Sequence, residues 1–407
     1  MPKRRRWNRF LWIPLLAMTA VASLYVLLSA WILSRQSFLD FSDLLIPRVV
    51  DLVVLAWLFW VSSAIGSFLN VVAYRLPLGR GVGGFSSCPF CANKIATRDN
   101  IPVFGWLALQ GRCRRCRLPI APRYPIVELA VGLSLTLVGI MELYLAGINL
   151  PYQPGSGYSF GALHMPQVWT AAFAIGVCHM LAVACSWAVG LIRVDGVRLP
   201  RPLLVWCFVL VALPMLAWPP LQVVSWQVTV EPTWRANGFL SALLRVITGT
   251  AAAAVLARAM ALSMFPSADI KLDPLGKDTA RLLDLMAMLA LPGIVVGWQG
   301  LLSVTILACL IAINLQRFLP NRDGFARLAI ALPAALSLQL AAWRWLDALP
   351  YWPSTHAAPW VILLSAFAVA TLSLWLRPQP VPPEREGGVG VRSEETGRQG
   401  DKESGRE

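Results

Sequence analysis

SSCPFCANKIATRDNIPVFGWLALQGRCRRCRLPIAPRYPIVELAVG, residues 86–132, decides how the chain is read. It lies between an apolar run over 50–73 and another over 125–148, and it carries two Cys-x-x-Cys pairs, Cys88/Cys91 and Cys113/Cys116, with 21 residues between them. Each pair puts two sulfurs on one tight turn, and two such turns face to face offer four thiolates to a structural zinc ion. A pair of disulfides or four unrelated buried thiols are the alternatives. A reduced cytoplasmic loop favours the metal, which also gives a core-poor loop the folding energy it lacks.

Outward from this loop the chain is apolar. Hydrophobic residues make up 57 % of it and charged residues 14 %, which excludes an ordinary soluble domain. Ten apolar runs can be drawn, at 10–33, 50–73, 125–148, 167–192, 202–218, 238–264, 282–297, 299–316, 326–346 and 359–376. Runs of about 20 residues cross a hydrocarbon core of roughly 30 Å as helices. The expectation is an all-α polytopic membrane protein with about eight to ten transmembrane helices and a small cytoplasmic zinc-knuckle loop domain. The seventh and eighth runs are short and meet at Gly297-Trp298-Gln299. The first run, behind Lys3-Arg4-Arg5-Arg6, is too long for a cleaved signal and reads as a retained span.

Charge orients the scheme. The loop 74–124 carries nine Lys and Arg against one acid, Asp99, whereas 149–166 has no Lys or Arg. With the N-terminus inside, the segments 193–201, 265–281 and 317–327 also fall inside and each carries three Lys or Arg, the residues the positive-inside rule counts. The net charge of +14 is therefore assigned to anionic lipid and not to nucleic acid. The chain divides into 1–49 (basic segment and first span), 50–135 (spans around the zinc loop), 136–318 (membrane core), 319–376 (additional spans) and 377–407. The last, rich in Pro, Gly, Glu and Arg, reads as a disordered cytoplasmic tail. Cys178, Cys185, Cys207 and Cys309 fall singly inside apolar runs and read as small core residues, and His164, His179 and His356 lack metal-ligand spacing.

The residues around the loop also carry a family likeness. Gly66-Ser67-Phe68-Leu69-Asn70-Val71-Val72-Ala73-Tyr74-Arg75-Leu76-Pro77, the four cysteines, Asp99-Asn100-Ile101-Pro102, Gly111-Arg112-Cys113 and Arg123-Tyr124-Pro125 with Glu128 follow one another in order. This bundle closely resembles the N-terminal part of bacterial prepilin peptidases, the type IV leader peptidases, over about residues 55–135. Read on their own, Gly66 and Ser67 permit close helix approach, Asn70 can bond across helices, and Glu128 suits an interfacial pairing with Arg123.

The resemblance implies an inner-membrane aspartic endopeptidase that cleaves the leaders of type IV prepilin or pseudopilin-like precursors. It also implies N-methylation of the new N-terminus with S-adenosylmethionine. In such enzymes two aspartates near the cytoplasmic ends of different helices share a proton. The chain departs from the pattern at both. The position seven before Pro200 is Arg193, with Asp195 next in line. The Gly-x-Gly-Asp run is missing. Asp284, thirteen residues before Gly297, keeps the spacing, and Asp269, in Asp269-Ile270-Lys271, keeps the local signature. Asp195 and Asp284 are the expected catalytic pair, with Asp269 the alternative to Asp284. A catalytically silent, zinc-stabilised membrane scaffold is the competing reading.

Overall fold

The computed structural model describes residues 5–36, 38–88, 90–151, 170–224, 226 and 238–377, with side chains from Leu16 onward. His164, the segment 152–169 and the proposed tail after Arg377 lie outside the described residues. The chain is helical, and no strand occurs among the described residues. The helices are α1 (Arg5–Ser34), α2 (Phe41–Arg75), α3 (Phe104–Ala108), α4 (Arg123–Gly139), α5 (Thr170–Val194), α6 (Arg201–Ala217), α7 (Gly238–Met264), α8 (Lys277–Asn314), α9 (Gly324–Ala341), α10 (Trp343–Asp347) and α11 (Pro359–Leu372).

Eight of the described helices are long and apolar enough to cross a membrane, and α6, at 17 residues, is shorter. The ten apolar runs fall on nine helices because two of them are the halves of α8. As a straight rod the 38 residues of α8 would extend about 57 Å, nearly twice a hydrocarbon core. The helix instead breaks at Gly297, whose φ of 82° and ψ of 170° lie outside the helical basin. Arg281, near its start, bonds Asp323, just past its end, at 2.6 Å. The two halves therefore fold back on each other at the Gly-Trp-Gln turn.

Breaking a helix inside a bundle leaves carbonyls unpaired where water does not reach. Arg245 of α7, 1 % exposed, supplies the donors. It reaches the carbonyls of Ile294 at 3.1 Å and Val295 at 2.6 Å, and it also donates to that of Val224. A lone cation deep in an apolar chain is here a helix cap.

Small residues set the helix crossings. A Cβ on Gly66 of α2 would stand 3.0 Å from the Glu128 backbone of α4. A Cβ on Gly249 of α7 would stand 2.3 Å from the carbonyl oxygen of Gly293 in α8. Such stripes let backbones approach in a medium that gives no hydrophobic drive between helices. Asn70 adds a bond from α2 to the Tyr124 carbonyl of α4, at 3.3 Å. The intramembrane cysteines are not all solitary, for the Cys185 and Cys207 thiols meet between α5 and α6.

The C-terminal ends of α2, α5, α7 and α11 and the N-terminal ends of α4, α6, α8 and α9 share one face of the bundle. Contacts across this face confirm the sorting: Arg123 with Asp195, Arg281 with Asp323, Ser263 with Ser373 and Gly324 against Leu376. The cysteine loop joins α2 to α4 at the same face. Replacing Gly249 by Ala drives a methyl into a backbone carbonyl and should destabilise the α7–α8 crossing by about 1–3 kcal/mol. Thermal unfolding in detergent checks this, with Gly81→Ala, which meets nothing within 4 Å, expected to be silent.

Candidate functional site

The two Cys-x-x-Cys turns are built alike. In the first, the Cys88 N–H donates to Asn93 and the Cys88 carbonyl accepts from Ala92; in the second, Cys113 donates to Leu118 and accepts from Arg117. Ala92 and Arg117 hold matching left-handed conformations, φ 55° and 62°, which close each knuckle tightly enough to aim both sulfurs one way. Each knuckle adds one isolated bridge, Ser87 to Lys94 and Arg112 to Pro119.

The four sulfurs lie within 4.8 Å of one another, with Cys88 3.8 Å from Cys116 and Cys91 4.0 Å from Cys113. A tetrahedron with Zn–S bonds of about 2.3 Å has edges of about 3.8 Å, close to these two separations, so the four sulfurs could hold a zinc ion. The Asn93 side-chain and backbone amides lower the Cys91 thiol to about 6. Backbone N–H groups of Cys116 and Arg115 also lower the Cys113 thiol. Both effects favour the thiolates a metal requires. The one acid of the loop, Asp99, takes a bidentate pair from Arg114 at 2.6 Å for each bond, which holds its carboxyl below the usual range.

One tie between the loop and the bundle is a buried carboxylate. Glu128 of α4 accepts the N–H of Val103 at 2.7 Å, at a residue whose φ is 62°. Glu128 is therefore not the partner of Arg123, as its position suggested. Arg123 instead donates to Asp195 at 2.6 Å, and Arg322 approaches the same oxygen at 3.7 Å.

Asp195 and Asp284, from the end of α5 and the start of α8, come to this face as expected. No hydrogen bond joins their carboxylates, and each faces arginine. Asp284, 4 % exposed, lies 3.7 Å from Arg193. Arg193 also donates to the Val197 carbonyl at 3.0 Å and rests 4.6 Å above the Phe325 ring. That ring meets Phe265 edge-on, and Arg281 covers Phe265 from the far side. Asp269 is elsewhere. Its carboxylate accepts the N–H groups of Lys271 and Leu272 in an exposed turn, which lowers its pKa. The sequence reading did not connect Arg322 or Phe325 to the site, because nothing local marks residues that arrive from α9 and the loop before it.

Residues 60–141 match the family model described as Bacterial Peptidase A24 N-terminal domain. The chain is 47 % identical over 107 residues to a "Prepilin leader peptidase/N-methyltransferase" of Klebsiella pneumoniae, covering 25 % of this chain and 45 % of that protein. It is 50 % identical over 78 residues to the Myxococcus xanthus protein of the same name, covering 19 % and 23 %. It is 34 % identical over 134 residues to a "Type 4 prepilin-like proteins leader peptide-processing enzyme" of Escherichia coli, covering 28 % and 46 %. The chain spans about half or less of the length of the curated relatives it matches. No solved structure matches it. Residues 60–141 are thus similar to the bacterial peptidase A24 N-terminal domain, and the likeness to prepilin leader peptidases covers about a third of the chain or less.

Proposed function

We propose that the chain is an inner-membrane aspartic endopeptidase that cleaves the leader peptides of type IV prepilin or pseudopilin-like precursors. The observation that carries this is the arrival of Asp195 and Asp284, from different helices, at the membrane face that also bears the cysteine knuckles. That face is rich in Lys and Arg, and we place it, with the tail, in the cytoplasm. The units 50–135 and 136–318 would supply the zinc-knuckle loop and the catalytic core, with 319–376 as an added pair of spans.

Cys88, Cys91, Cys113 and Cys116 would hold the zinc, which supplies structure and no chemistry. Asp195 is partly exposed and Asp284 buried, an asymmetry suited to one carboxylate that activates water and one that protonates the peptide carbonyl. For them to share a proton, Arg193 and Arg123 must first give up their grip, so precursor entry has to displace guanidinium groups. The relatives' second activity, N-methylation, would draw on S-adenosylmethionine, and we assign it no residues.

The Arg193–Asp284 pair favours a second reading, a silent scaffold in pilus or secretion assembly. A guanidinium beside Asp284 stabilises the ionised form and opposes a shared proton.

Two predictions follow from these assignments. Purified protein should contain one zinc per chain, and Cys113→Ser should release it and open the loop to alkylation. Zinc-free wild-type protein with all four thiols reactive would remove the metal. Against a prepilin substrate, Asp195→Asn and Asp284→Asn should each lower cleavage by about 10²–10⁴-fold with zinc retained. An inactive wild type in which Arg193→Asp creates cleavage would establish the scaffold, and activity lost in Asp269→Asn but kept in Asp284→Asn would move the second carboxylate.

A further inference from the structure

Away from the knuckle face, the end of α4 departs from α-helical geometry in a single π turn, Ile140–Tyr144. Such turns frequently mark functional positions, because they rotate one side chain out of helical register. The side chain placed here is Glu142, fully buried. Its carboxylate faces Nδ1 of His179 on α5 at 2.8 Å from both oxygens and accepts from Asn149 at 2.9 Å. Asn149 in turn donates to the Leu340 carbonyl at 2.8 Å, so the carboxylate is fixed from both sides.

With Glu142 holding Nδ1, His179 has only Nε2 left. The residue is 2 % exposed, and Nε2 has no protein partner. His179 also lines a small internal cavity of about 10 Å³, together with Cys178, Met215, Val211, Leu221 and Val295. Three of these six residues carry an imidazole nitrogen, a thiol and a thioether. A carboxylate on the far nitrogen of a histidine, itself oriented by an amide, is the outer-shell arrangement that positions a metal-binding imidazole.

We propose that this cavity binds one soft monovalent transition-metal cation of the Cu(I) class, through His179 Nε2 and the sulfurs of Cys178 and Met215. The donor set selects a soft ion over zinc, calcium or magnesium. Charge selects the valence. When the Cys178 S–H gives its proton to solvent and the sulfur bonds Cu(I), no net charge enters the bundle and no oxidation state changes. A divalent ion would leave one uncompensated charge in an apolar interior.

The test is independent of any peptidase activity. Full-length, zinc-loaded protein in detergent is titrated anaerobically with Cu(I) against bicinchoninate, alongside Cys178→Ala and Met215→Leu. The knuckle thiolates contribute equally in all three, so wild type should take up one equivalent more than either variant. Glu142→Gln should retain the site with affinity lowered by about 10–100-fold. Met215→Leu preserves the packing volume and carries the comparison if Cys178→Ala folds poorly. Equal copper uptake by wild type and Met215→Leu at matched zinc content overturns the proposal.

Discussion

The architecture depends on how Arg245 answers a constraint that the membrane imposes. A helix cannot reverse direction in hydrocarbon without exposing carbonyls that no water will satisfy. In this chain α8 reverses at Gly297, and Arg245 gathers the carbonyls of Ile294, Val295 and Val224 onto one guanidinium. Because α8 turns back, both of its ends reach the same face. Asp323 thereby returns to Arg281, on the face where Asp284 already stands beside α5. Without that reversal Asp323 and its arginine neighbours in sequence would lie at the opposite end of the bundle from Asp195 and Asp284.

The face so assembled is a lattice of alternating charge more than a bare pair of acids. Asp195 lies between Arg123 and Arg322, Asp284 opposes Arg193, and Asp323 opposes Arg281. Arg193 and Arg281 each rest on one of two edge-packed phenylalanines, Phe325 and Phe265, whose ring faces attract both cations. The reactivity of a carboxylate in such a lattice is governed by whatever moves the neighbouring guanidinium.

Much of this was legible in the chain because the signals were local. The Cys-x-x-Cys spacing predicted a cage, and the sulfurs do cluster. Hydropathy gave the spans, and the Gly297-Trp298-Gln299 interruption marked a real reversal. Asn70 bonds across α2 and α4 as a buried amide should. What sequence could not show is pairing between distant elements. Glu128 sits one helical turn from Arg123 and looked like its partner, yet a loop N–H with no other acceptor took the carboxylate and Arg123 went to Asp195. Cys185 and Cys207 read as isolated, but helix packing put their thiols together. His179 read as a packed polar residue, and its carboxylate partner became visible only once the π turn had rotated Glu142 inward.

The bond from Val103 to Glu128 makes α4 a strut between water and membrane. One end of the strut is hooked to the cysteine loop, and five residues before the hook, on the same helix, Arg123 grips Asp195. The cysteine loop and Asp195 are therefore joined through the first two turns of one helix. The four sulfurs in the aqueous phase and the acid at the bundle's edge share a single stiff connector.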